Sequence, residues 1–124
     1  MKYIHDAGFP IGVGTHNPAV VEWIEDAGWE LDFYLLSFYN LPARGGEVYL
    51  AEDREAACRT IQSVHRPVLA IEVMAAERND PREAISYALG HIKSQDGIVV
   101  SFYPQDHPRQ VFDTVALVEE ALAC

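Results

Sequence analysis

Residues 67–92 read PVLAIEVMAAERNDPREAISYALGHI. Pro67 opens an apolar run from Val68 to Val73 that is nearly continuous, as strands buried on both faces of a parallel sheet are. One carboxylate, Glu72, interrupts it. Asp80, Pro81 and Glu83 then combine an N-cap, a proline at the first helical position and the carboxylate of a capping box. Behind them Ile85, Ala88, Leu89 and Ile92 recur at helical spacing. A strand followed at once by a helix is the repeating unit of parallel α/β folds.

The same unit recurs on both sides. Upstream, Ile11 to Thr15 reads as a short strand, and Asn17 with Pro18 suits a helix start. That helix carries Val20, Val21, Ile24 and Ala27 on one stripe and stops at Gly28. Phe33 to Phe38 forms a second strand, and a polar loop through Gly45 and Gly46 leads to a helix over Glu52 to Val64, with Ala57, Ile61 and Val64 aligned. Downstream, Ile98 to Phe102 makes a fourth strand, and His107 and Pro108 open a last helix with Val111, Val115, Val118 and Leu122 on one face. Residues 1–8 read as the tail of a preceding helix, with Gly8 as its stop.

The pattern is therefore (βα)4 in one domain spanning residues 1–124. If every crossover is right-handed and runs the same way, all helices fall on one face of the sheet. The other face is then bare and two strand edges stay unpaired. Two such halves, edge to edge, would give the eight strands of a TIM barrel, so the expected assembly is a half barrel completed by homodimerisation. The alternative is a doubly wound open parallel sheet, in which the strand order reverses and helices cover both faces.

Nineteen acidic against nine basic residues leave a formal charge of −10, and Lys and Arg are scattered; Arg54 with Arg59 is the nearest approach to a cluster. Such a surface repels nucleic acid and anionic lipid, so neither partner is expected. No run is apolar and long enough for a signal peptide or a membrane span. Two cysteines, Cys58 and Cys124, make no disulfide framework, which suits a reducing, cytoplasmic setting.

In a barrel, chemistry gathers where the strands end. His16 closes the first strand and suits a general base or a metal ligand; the alternative is a polar side chain bonding loop backbone. Glu72, in its apolar run, must be paired, metal-bound or protonated. It is a candidate acid or base, or a partner of His16 around a divalent cation, against a structural salt bridge to Arg78 or Lys93. Ser37, Tyr39 and Asn40 after strand two, Ser101 and Tyr103 after strand four, and Arg78 are candidate contacts to a small molecule. Asp32 lies at the opposite, stabilising end, and His5, Asp106 and His107 read as cap or surface residues.

GVGTH lacks the third glycine of a dinucleotide fingerprint, and neither a Walker lysine, a cysteine–histidine zinc spacing nor a nucleophile elbow occurs. The sequence names no cofactor, metal or reaction type.

At HDAGFPIGVGTHNP (5–18), DFYLLSFYN (32–40), PVLAIEVMAAER (67–78) and GIVVSFYP (97–104) the chain resembles the C-terminal half of a family of TIM-barrel proteins, largely uncharacterised and bacterial, sometimes labelled aldo/keto reductase-like. The resemblance implies that these strands are the last four of a barrel. It says little of activity, because the fold hosts many chemistries. In that family a lysine commonly stands at the position of Glu72 and a glycine at that of Glu77, so the resemblance lends no support to a function resting on that lysine.

Overall fold

The computed structural model describes residues 2–76, 78–102 and 105–123. In chain order the elements are α1 (Lys2–Asp6), β1 (Gly12–Thr15), α2 (Pro18–Ala27), β2 (Phe33–Ser37), α3 (Leu41–Arg44), α4 (Ala51–Ser63), β3 (Val68–Ile71), α5 (Pro81–His91), β4 (Gly97–Ile98) and α6 (Gln110–Leu122). The strands form one four-stranded sheet in the sequential order β1-β2-β3-β4. Each neighbouring pair is parallel, and no reversal of order occurs among the described strands.

The helix ends form where the side chains provide for them. Asn17 accepts the Ala19 N–H at 3.0 Å, and Gly28 takes the left-handed conformation (φ 72°) that lets its N–H bond the carbonyls of Ile24 and Glu25. Asp80 caps α5 by accepting the Glu83 N–H at 3.1 Å. The reciprocal half of the expected capping box is absent. The Glu83 carboxylate instead takes both terminal guanidinium nitrogens of Arg54, at 2.9 and 3.1 Å, a stronger pairing for an anion than one backbone N–H.

Tyr34 and Leu36 of β2 lie beside Val68 and Ala70 of β3, and all four are buried. They share one core with Val21 and Ile24 of α2, Ala57 and Ile61 of α4, and Ala84 and Ala88 of α5. Full burial of each large apolar side chain there contributes about 1.5–3 kcal/mol. The opposite face of the sheet carries Phe33, Leu35, Leu69 and Ile71, each only half-buried. Glycines of the outer strands make room for them: a Cβ on Gly12 would meet the Phe33 ring at 2.4 Å, and one on Gly97 would meet Leu69 at 3.1 Å.

Further expectations from the sequence change, among them the last helix, which opens at Gln110 rather than at His107 and Pro108. Strand three ends at Ile71 rather than Val73, because Glu72 adopts a left-handed φ of 58° that takes the chain out of the ladder. Strand four consequently holds only Gly97–Ile98, since residues 100–102 find no β3 backbone beside them after Val99 N–H bonds the Ala70 carbonyl at 2.9 Å. On α6 the apolar stripe turns outward. Val115 is 50% and Leu122 68% exposed, and Thr114 is the one buried residue of that helix. Helix α6 packs against α5, and the two-residue β4 offers it no sheet surface to cover.

Carboxylates fasten the N-terminal ends of the strands. Asp32 accepts the Ile11 N–H at 2.7 Å, and Asp96 accepts the Val68 N–H at 2.8 Å while pairing with Lys93 at 2.9 Å. These bonds belong to the scaffold end of the sheet.

Candidate functional site

At the other end of the sheet, three consecutive strands deliver three polar side chains to one place. His16 follows β1, Ser37 ends β2 and Glu72 follows β3. The His16 Nε2 and Glu72 Oε1 are 2.9 Å apart, and the Ser37 hydroxyl is 2.8 Å from Glu72 Oε2. The Ser37 Oγ also accepts the Tyr39 N–H at 3.0 Å and lies 2.8 Å from the Tyr39 carbonyl. Glu72 is thus the middle of a hydrogen-bonded row that crosses three strands.

Backbone geometry sets this row. In register, Ser37 stands beside Ile71, so the residue after Ile71 emerges next to the end of β2. The left-handed φ of Glu72 is one that a side chain with a Cβ adopts at a cost of about 1–2 kcal/mol. Ala75 (φ 52°) and Ala76 (φ 53°) in the same turn carry the same cost. Residues held in sparsely populated backbone regions cluster at functional sites.

An ionised carboxylate only accepts hydrogen bonds, so Glu72 fixes the neutral His16 ring as the Nε2–H tautomer. The Nδ1 lone pair then remains as an acceptor, and Nδ1 makes no hydrogen bond among the described residues. The side chains of His16 and Glu72 are 39% and 31% exposed, open to solvent yet packed enough to hold direction. Neither Arg78 nor Lys93 pairs with Glu72: Arg78 pairs with Glu47 at 3.2 Å and Lys93 with Asp96. His16, which follows the neighbouring strand β1, is the basic side chain that pairs with Glu72.

Two clefts border the row, one at His16 and Ser37 and one at Glu72. The first, about 290 Å³, is evenly mixed in character and is lined by His16, Asn17 and Ser37 from the strand ends, Glu22 from α2, and Arg59 and Thr60 from α4. Asn40 and Asp53 also reach it; Asp53 accepts the Asn40 N–H at 3.3 Å and pairs with Arg44. The Arg44 guanidinium holds the Asp53 carboxyl below its ordinary range. The second, about 650 Å³, is mainly apolar and contains Glu72, Ile71, Met74, Val99, Ser101 and Phe102.

The other sequence candidates divide. Tyr39 is buried against Tyr49 with ring centroids 5.2 Å apart, its hydroxyl accepting from Asn79 at 2.8 Å, so it meets the row through its backbone. Arg78 is exposed, with its guanidinium 4.9 Å from the Tyr49 ring centroid. Tyr103 lies outside the described residues, as does Glu77. Sequence reasoning missed Arg59, Thr60 and Glu22. Their positions on the first turns of α2 and on α4 signal them only once those helices are known to flank the same strand ends.

No three His, Cys, Asp or Glu side chains among the described residues converge as a metal site. His16 and Glu72 offer two donors, and these are bonded to each other. Compared with protein-family models, curated proteins and solved structures, the chain matches none.

Proposed function

We propose that this chain binds a small molecule at the C-terminal ends of its strands and moves a proton there through His16, with Glu72 as the group that orients and balances the imidazole. One observation carries the reading: the hydrogen-bonded row His16–Glu72–Ser37 assembled from three separate strands. In the proton step, His16 Nδ1 takes a proton from an O–H or N–H of the bound molecule. The bonding electron pair stays on that oxygen or nitrogen, and the imidazolium is held by the Glu72 carboxylate. General acid–base help of this kind is worth about 10²–10⁴ in rate.

Nitrogen NMR of the His16 ring tests this directly. The neutral ring should show a protonated Nε2 and a bare Nδ1, and Glu72→Gln should lose that bias. Small alcohols and carbonyl compounds that bind should shift the His16 resonances, and His16→Ala should weaken their binding. Binders that never touch His16 would remove the proposal.

The same reading places the chain as half of an eight-stranded barrel closed by a second copy. It is supported by apolar surface at both edges of the sheet: Val115 and Leu122 of α6 beyond β4, and Tyr3 and Phe9, 89% and 66% exposed, before β1. A two-fold axis that sets β4 of one copy beside β1 of the other brings these surfaces together and encloses Phe33, Leu35, Leu69 and Ile71. Light scattering should give twice the chain mass, and Val115→Glu with Leu122→Glu should halve it. A wild-type monomer would overturn the closure. These apolar edges also favour a second reading, an assembly module without catalysis, which unaltered ligand binding in both His16→Ala and Glu72→Gln would select.

A further inference from the structure

We infer that the larger cleft beside Glu72 is a binding site for an organic ammonium ion with an apolar body. The inference rests on reading the strand C-terminal ends as the ligand end, and not on the proton step at His16. The cleft's volume of about 650 Å³ is of the size that holds small organic ligands. Its walls are mainly apolar: Ile71 at the end of β3, Val99 just past β4, Val73 and Met74 from the turn after β3, and Tyr49 and Phe102.

Charge decides the class. Among the described residues, Glu72 is the ionisable group in that lining besides the Tyr49 phenol. An anion would meet this carboxylate with no cation among the described lining residues to offset it, at a cost in both repulsion and desolvation. The Arg78 guanidinium, which lies over the ring of the lining residue Tyr49, is engaged with Glu47. The net charge of −10 adds a field that concentrates cations at the surface.

Hydrogen bonding agrees. A carboxylate accepts about four hydrogen bonds. His16 and Ser37 engage one Glu72 oxygen each, at 2.9 and 2.8 Å, which leaves acceptor capacity for the N–H groups of an ammonium. The Glu72 side chain is 31% exposed and so within reach of a ligand in the cleft.

The test titrates 2-phenylethylammonium, 2-phenylethanol and 3-phenylpropanoate separately into the full ¹⁵N-labelled chain, following amide shifts. The ammonium should shift Ile71, Met74 and Val99 and bind about tenfold or more tightly than the alcohol, with the carboxylate weakest. Glu72→Gln should cut ammonium affinity by about tenfold and lower that of the alcohol by clearly less. Val99→Trp, which keeps Glu72 and fills the cleft, should weaken both. Equal affinity for ammonium and alcohol, ammonium binding indifferent to Glu72→Gln, or no shift at these amides would overturn the inference. His16→Ala separates it from the proton-transfer reading: ammonium binding kept there while alcohols and carbonyl compounds bind as in the wild type leaves the cleft standing and removes the proton step.

Discussion

His16 Nε2 and Glu72 Oε1 stand 2.9 Å apart although 56 positions separate the two residues. One follows the first strand and the other the third, so the contact passes over the end of β2, where Ser37 bonds the second Glu72 oxygen. It forms because β1, β2 and β3 lie side by side in sequential order. In a doubly wound order such as 2-1-3, β1 would lie directly beside β3 and Ser37 of β2 would no longer stand between His16 and Glu72. The site and the topology are therefore one fact.

Acid should loosen the loop that borders the smaller cleft. Asp53 is buried, and hydrogen bonding to Arg44, with a smaller contribution from the Asn40 N–H, holds its carboxyl below its ordinary range. A group depressed in the folded state stabilises above its unfolded pKa, about 3.9, and that stability is lost as pH falls through the lower folded value. Urea midpoints measured from pH 6 down to pH 2 should fall below about pH 4. In Asp53→Asn the protein should be weaker at pH 6 and that part of the slope should flatten. An unchanged slope would show the pair to be dispensable.

Alkali acts through Tyr34. Its hydroxyl donates to Glu25 at 2.6 Å, and burial followed by the Glu25 carboxylate pushes its pKa up to about 12. A raised tyrosine favours the neutral folded form, so its contribution is complete below about pH 10 and is lost as pH rises toward 12. Burial likewise pushes the Cys58 thiol up to about 11, which adds to the same slope. Stability should therefore decline above about pH 9 through Cys58 and more steeply above about pH 10, and Tyr34→Phe should flatten the upper part of the decline. Of the six tyrosines, Tyr34 should also ionise late in an ultraviolet titration, and Tyr87, which burial pushes up too, should ionise later than an exposed tyrosine.

Cys58 should be unreactive in the native protein. It lies in the core, and with a thiol pKa of about 11 its thiolate fraction at pH 8 is lower by on the order of a hundredfold than that of a free cysteine. In a Cys124→Ser background, Ellman's reagent at pH 8 should label Cys58 only at the rate of local opening, and urea should release rapid labelling. Prompt native labelling would mean that α4 and α5 part readily around it.

Much of this architecture was legible in the sequence, for identifiable reasons. Asn17, Gly28 and Asp80 act through their own side chains or their lack of one, so their caps can be read locally. His16, Ser37 and Glu72 follow from a positional rule, that polar residues closing parallel strands share one end. What stayed hidden depends on tertiary competition. Glu83 reads as a capping-box carboxylate until Arg54 arrives from another helix. The α6 stripe reads as a core face until β4 proves too short to receive it. Nothing in a glutamate foretells a left-handed φ, yet that angle takes Glu72 out of the β3 ladder and ends both later strands early.

The turn that follows Glu72 offers a clean measure of that strain. Ala76 has φ 53° and is exposed, so glycine there loses no packing and gains a conformation that a Cβ opposes by about 1–2 kcal/mol. The greater freedom of glycine in the unfolded chain returns about 0.4–1 kcal/mol of this. Ala76→Gly should accordingly stabilise by roughly 0.5–1 kcal/mol. The same exchange at Ala116, exposed within α6, should instead destabilise by about 1 kcal/mol, because the helical backbone needs no relief. Opposite signs in the two denaturation midpoints would place the strain in the turn that carries Glu72. Matching losses would mean that Ala76 sits without strain and that the position of Glu72 is held by its hydrogen bonds to His16 and Ser37 alone.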